Sequence, residues 1–182
     1  MQKLIAAFIL ACFIASCWDF RKPFKPPGKL LGYKPVFSDD SSLLFVKALG
    51  PQPVKFPAKI YVKGTLLFQN DLGSGIHVID NSNPSSPNRI GFIQLRGNSE
   101  MSIKGNFLYA NSFTDLVVID VTNWQTPTEV RRIRNAFSLG NSVRYFIPLP
   151  EHNVYYDCQY LLYGKIQTGW IRDSVERHCY YP

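Results

Sequence analysis

From residue 55 onward, short runs of β-branched and aromatic residues alternate with breaks rich in Gly, Asn, Asp, Pro and Ser. Runs of this length and composition, bounded by turn residues, read as strands and not as helices. Strands are predicted at 60–62, 66–69, 76–79 and 89–95, and again before Lys104 and at 107–110, 116–119 and 129–133. Lys63-Gly64-Thr65 and Lys104-Gly105-Asn106 read as tight turns in which glycine takes the positive φ that other residues resist. The third strand of each set, 76–79 or 116–119, is apolar on both faces, so it is expected in the middle of a sheet. Upstream, Ser38 as N-cap, Asp39 and Asp40 in the first turn and Gly50-Pro51 as a stop predict a short helix over 38–49, with a narrow stripe of Leu43, Leu44 and Val46.

The two sets of strands are copies of one unit. Lys59-Ile60-Tyr61-Val62-Lys63-Gly64 aligns with Glu100-Met101-Ser102-Ile103-Lys104-Gly105 at an offset of 41, read from Lys63 and Lys104. Gly75-Ile76-His77-Val78-Ile79-Asp80 aligns with Asp115-Leu116-Val117-Val118-Ile119-Asp120 at an offset of 40, read from Asp80 and Asp120. One residue is therefore lost in the turn between these stretches. Four antiparallel strands in about 40 residues is the unit of a β-propeller blade.

The strings IHVIDNSNPSSPNRIGFI and LVVIDVTNWQTPTEVRRI resemble the LVIVD repeat, a propeller-type repeat of bacterial exported proteins. The resemblance spans roughly residues 55–137 and implies a β-repeat fold; it brings no chemistry with it. Proteins that resemble it are commonly longer, whereas this chain offers two clear units and, in Val154-Tyr155-Tyr156-Asp157 and 164–170, a degenerate third repeat or a C-terminal cap. The expected fold is all-β: two to three propeller-blade-like antiparallel sheets forming an incomplete propeller, with one short N-terminal helix. A propeller ring closes with about four to eight blades. The chain is thus a compact shortened relative, or is completed by another copy or a partner, or is a fragment of a longer gene; the compact form is preferred.

The N-terminus carries a different signal. Lys3, an apolar run over 4–14 and Ala15-Ser16-Cys17 follow the order of a secretory signal, and the run falls short of the roughly 20 residues that cross a bilayer. Ile14-Ala15-Ser16-Cys17 resembles a bacterial lipobox, which implies cleavage before Cys17 and acylation of that cysteine. Arg21, Lys22, Lys25 and Lys29, interleaved with Pro23, Pro26, Pro27 and Gly28, then read as an extended tether near the lipid surface. The expected organisation is a signal peptide (1–16), a lipidated tether (17–37), a short helix and linker (38–53), two β repeats (54–137) and the C-terminal segment (138–182).

Charge adds one exclusion. The net +7 comes from 20 basic and 13 acidic residues, and it becomes +6 once Lys3 leaves with the signal. The excess sits in the tether and in Arg131, Arg132 and Arg134 without an aromatic-flanked basic face, so no nucleic-acid partner is expected. Cys12 leaves with the signal and Cys17 takes lipid, which leaves Cys158 and Cys179 in an oxidising compartment. A bridge between them is expected, with free thiols as the alternative; a metal site with His152 and His178 has no zinc spacing to support it.

Candidate chemistry is sparse. Gly73-Ser74-Gly75 lacks the nucleophile-elbow pattern and reads as a hairpin turn, while His77 on a central strand reads as a hydrogen-bonded structural residue. Asp80, Asn83, Asp120 and Asn123 recur at equivalent turn positions; backbone bonding by these side chains is favoured over calcium. Aromatic residues crowd the C-terminal segment, and Tyr155, Tyr156, Tyr160 and Trp170 are the candidate ligand-binding residues, with cross-strand packing as the plainer reading. No catalytic residue, metal ligand or cofactor is expected. The function read from the sequence is a non-catalytic, membrane-anchored envelope lipoprotein that binds or scaffolds protein or glycan, with self-association open. It is expected at the outer membrane facing the periplasm. The alternative is an exported hydrolase or lyase on a propeller-like fold.

Overall fold

Gly64 and Gly105 reverse the chain at equivalent points of the two repeats, each at φ +59° with no atom near the place a Cβ would take. The left-handed backbone, and not lack of space, is what selects glycine there. Each turn pairs its flanks, Lys63 with Leu66 and Lys104 with Phe107. A computed structural model of the chain describes residues 28–137, 147–157, 165–176 and 178–182.

The first repeat is an antiparallel meander of β3 (Pro57–Lys63), β4 (Leu66–Asp71), β5 (Gly75–Asp80) and β6 (Asn88–Gln94). The short β2 (Lys47–Leu49) pairs with β6 and gives a five-stranded sheet of order β2-β6-β5-β4-β3. The second repeat folds alike: β7 (Met101–Lys104), β8 (Phe107–Ser112), β9 (Asp115–Asp120) and β10 (Thr128–Ile133) make a sheet of order β10-β9-β8-β7. Both third strands lie inside their sheets, as their two-sided apolar character requires.

The change of offset has a visible cause. Asp71 pairs with Gly75 across a connection of Leu72, Gly73 and Ser74, whereas Ser112 pairs with Asp115 across Phe113 and Thr114 alone. The copies agree even in their irregularity: the register slips past Ile90 in β6 and past Val130 in β10, positions 40 apart. One apolar cluster joins the repeats, with Phe68, Ile76, Val78, Ile93 and Leu95 from the first meeting Met101, Ile103, Leu108, Val117 and Ile119 from the second. Burying a side chain of this size stabilises by about 1.5–3 kcal/mol, so neither sheet is complete without the other.

Three expectations need correction. The helix over 38–49 reduces to one 3-10 turn, Ser41–Leu44, capped by Asp40 and not by Ser38; the Asp40 carboxylate accepts from the Ser42 N–H at 2.9 Å. Residues 47–49 gain ladder bonds from β6, which a helix with so narrow an apolar stripe does not match. The tether does not run to residue 37: Leu30–Ser38 form β1, which pairs antiparallel along β12 (Ile166–Val175). Finally, the C-terminal segment does not repeat the meander. Its β11 (Val154–Asp157) runs parallel to β1 and antiparallel to β13 (His178–Tyr181), so the third sheet, β12-β1-β11-β13, is built from both ends of the chain. Apolar residues at the N-terminal side of the repeats find strand partners there that the sequence order does not suggest.

Candidate functional site

At one end of the first repeat, the β2–β3 connection stands off from the β4–β5 turn and from the residues that follow β6. The cleft between them has a volume of about 340 Å3 and is walled by Leu49, Gln52, Lys55, Asp71, Gln94 and Arg96, with Pro53, Ser74 and Phe92 also in contact. Pockets of about this size take small ligands.

Behind the cleft sits a sealed acid–imidazole pair. Asp71 ends β4 and His77 lies in the middle of β5, and their side chains are 2% and 0% exposed. His77 Nε2 stands 3.1 Å from Asp71 Oδ2. The same carboxylate accepts the backbone N–H of Lys55 at 3.1 Å and of Phe56 at 2.6 Å. Asp71 therefore pins the connection that forms the opposite wall, since a buried carboxylate must be matched by donors. The His77 ring tilts against Phe92 at 4.9 Å, and its Nδ1 is buried without a partner among the described residues. Ser74 lies in the hairpin turn as expected, donating its backbone N–H to Asp71 C=O at 3.0 Å. With Nδ1 unpartnered, Ser74, His77 and Asp71 form no relay, and none is present among the described residues.

Arg96 carries the second orphan, its buried Nε having no acceptor among the described residues. Only its backbone carbonyl is engaged, accepting from Ser112 Oγ at 2.9 Å. The connector that holds it is fixed on both sides. Gly73 N–H donates to Asn98 C=O at 2.7 Å, and Phe113 N–H donates to Gly97 C=O at 3.2 Å. Asn98 donates to Asn111 C=O at 3.0 Å, while Asn111 Oδ1 accepts the N–H of Ser99 and of Glu100 at 2.9 and 2.8 Å.

The repeat gives these residues a further meaning. His77 pairs with Gln69 and Phe92, and its structural counterpart Val117 pairs with Ala110 and Arg132. Asp71 corresponds to Ser112, and Arg96 aligns with Ala136 at the offset of 40. These three ionisable residues of the first repeat, neutral in the second, thus lie at or behind one cleft. Sequence reading missed Asp71 and Arg96, although comparing the copies for charged-against-neutral positions would have marked them.

The residues proposed from the sequence lie elsewhere. Cys17, Cys158 and Tyr160 are outside the described residues, and Cys179 stands on β13 opposite Tyr156. Tyr155 pairs with Tyr180, ring centroids 5.4 Å apart, while Tyr156 meets Trp170 edge-on at 6.1 Å. Adjacent residues of a strand point to opposite faces, so these two pairs do not form one platform. Trp170 also spends its indole N–H on Ile147 C=O at 2.9 Å. His152 stacks on Tyr181 at 4.7 Å, with its Nδ1 2.8 Å from Pro182 C=O.

The recurring turn acids bond the backbone. Asp80 Oδ1 accepts from Ser82 N–H at 2.9 Å, and Asp120 Oδ1 from Thr122 N–H at 2.8 Å and Thr122 Oγ1 at 2.6 Å. Asn83 and Asn123 do the same two residues on, to Ser85 and Gln125. These bonds hold both carboxyls below the usual range; the Thr122 hydroxyl leads for Asp120 and the Ser82 backbone for Asp80. Arg132 is also committed, gripping Glu129 with two bonds of 2.8 Å and reaching Asp115 at 3.2 Å and Leu44 C=O at 3.0 Å.

Set against known proteins, the chain carries two LVIVD repeats, the family model matching residues 58–93 and 97–134. No curated protein and no solved structure matches the chain.

Proposed function

We propose that this chain, with two LVIVD repeats as its structural premise, is a non-catalytic, lipid-anchored binding or scaffolding module of the bacterial cell envelope. The observation that carries the reading is the contrast at the first repeat. The Asp71–His77 pair, which could serve acid–base chemistry, is spent inside the fold, while the cleft in front of it is lined by polar side chains and lies open. A hydrolase or lyase would need that imidazole to reach its substrate within hydrogen-bond distance, and a fully buried ring does not. The partner is a protein or glycan of the envelope.

In this reading Cys17 carries the lipid, and acyl chains hold the protein at the periplasmic face of the outer membrane at about 0.8 kcal/mol per buried methylene. Cys158 and Cys179 are bridged, which closes the C-terminal segment and stabilises it by about 3 kcal/mol. The deciding experiment follows the full chain in expressing bacteria. The protein should sediment with membranes, and its N-terminal peptide should carry diacylglycerol on Cys17. Cys17→Ala should release the protein or stall it unprocessed. A membrane fraction free of the protein, or an unmodified Cys17 peptide, would end the anchoring claim.

A further inference from the structure

We infer that the cleft of the first repeat is a binding site for a small carboxylate-bearing saccharide, with Arg96 as the group that takes the carboxylate. The inference rests on the binding-module reading and names the ligand class of its site. It begins from the orphaned donor. A guanidinium offers five N–H groups in a fixed fork that matches a carboxylate, and proteins seldom leave such a donor buried and unmatched. Arg96 is half-buried at the wall of an open cleft, its Nε is buried with no acceptor, and its side chain makes no hydrogen bond or ion pair among the described residues. Its carbonyl is tied to Ser112, and its connector is bonded to the turns of both repeats, so the side chain projects from a rigid base.

The other wall residues set the rest of the ligand. Asp71 faces the same space, but its charge is already met by two backbone N–H groups and His77. At 2% exposure it is left to the fold, and Ser74 and Gln94 supply the hydroxyl and amide that meet the ligand's hydroxyls. Leu49 and Phe92 give an apolar surface for a ring face. A fork for one carboxylate beside a second cation, Lys55, with a hydroxyl, an amide and an apolar wall, describes an acidic sugar better than a neutral one. The second repeat has no such site, because the counterparts of Asp71, His77 and Arg96 are Ser112, Val117 and Ala136.

The test uses 15N-labelled protein purified from expressing cells and follows the Arg96 Nε–H resonance, assigned by its loss in Arg96→Gln. D-Glucuronate, D-glucose and inorganic phosphate are the three probes. Glucuronate should shift this resonance saturably, glucose should leave it in place, and phosphate should act more weakly than glucuronate. Arg96→Gln should weaken glucuronate binding by about tenfold or more while the backbone spectrum stays folded, and Arg96→Lys should recover part of it. Equal responses to phosphate and glucuronate would overturn the assignment in favour of a general oxyanion site. Glucuronate binding untouched by Arg96→Gln would also overturn it, leaving the binding-module reading in place. A saturable Arg96 shift accompanied by chemical change in the sugar would keep the site and remove the non-catalytic reading.

Discussion

Trp124 of the second repeat packs against Gly91 of the first, so closely that a Cβ on Gly91 would stand 2.1 Å from the indole Cζ3. Trp124 belongs to the loop between β9 and β10, and it packs on the shared apolar cluster from its edge. The absence of a side chain on β6 is therefore what lets the two repeats close over one interior. Gly91→Ala should displace the indole and cost about 1–3 kcal/mol, the usual range for overpacking. Urea unfolding followed by tryptophan fluorescence measures it. In a Trp124→Ala background the same substitution should cost much less, giving a coupling energy well above zero.

Asp71 is expected to be the residue on which the cleft wall depends. Asp71→Asn keeps the shape but turns one acceptor into a donor facing the N–H groups of Lys55 and Phe56. An unmatched buried group of this kind costs about 2–4 kcal/mol. Amide exchange should accelerate at Phe56 before it does in β8 or β9. Unchanged protection at Phe56 would show that the β2–β3 connection is held by something else.

The turn acids predict the acid limb of the stability curve. Asp80 and Asp120 titrate below their ordinary value of 3.8 in the folded chain, because they accept bonds from Ser82 and Thr122. Their contribution is present above the unfolded value and is lost as pH falls through the lowered folded value, since the unfolded chain then binds more protons. Asp120→Asn should lower stability near neutrality, where the ionised carboxylate contributes, and flatten the loss below about pH 4. Thermal unfolding across pH 2–7 reads the difference, and an unaltered acid limb would contradict it.

Arg132 ties the N-terminal segment to the second repeat. Its side chain is 16% exposed and bonds Glu129, Asp115 and the Leu44 carbonyl together. Arg132→Gln should cost about 1–2 kcal/mol, as one arm of a half-buried network. The specific sign is faster proteolysis within 38–50 at unchanged protection of β5, which limited digestion and peptide mass detect.

Much of this was legible in the chain. Strand alternation, the two Lys-Gly turns and the lost residue between offsets 41 and 40 place both repeats, because local turn chemistry and the shared interior agree. The signals failed where partners are distant. Residues 30–37 look like a continuation of a Pro-rich tether, yet Leu30 pairs with Val175 and Val36 with Gly169. Ser38 and Asp39 suggest a helix start, yet residues 47–49 are drawn out along β6. The aromatic run promised a surface, but alternation sends Tyr155 and Tyr156 to opposite faces. The cleft went unread for a related reason: Arg96 and Lys55 are isolated cations in sequence, and only the fold sets them around Asp71.

The central claim is that the two repeats form one folding unit around a common interior. Native-state hydrogen exchange tests it most directly, by comparing the amides of Val78 and Ile79 in β5 with those of Val117 and Ile119 in β9 under increasing urea. Both sets should merge into a single opening free energy, and Leu108→Ala in the second repeat should lower the two by the same amount, about 2–5 kcal/mol. Separate opening energies, with Leu108→Ala felt in β9 alone, would contradict the account.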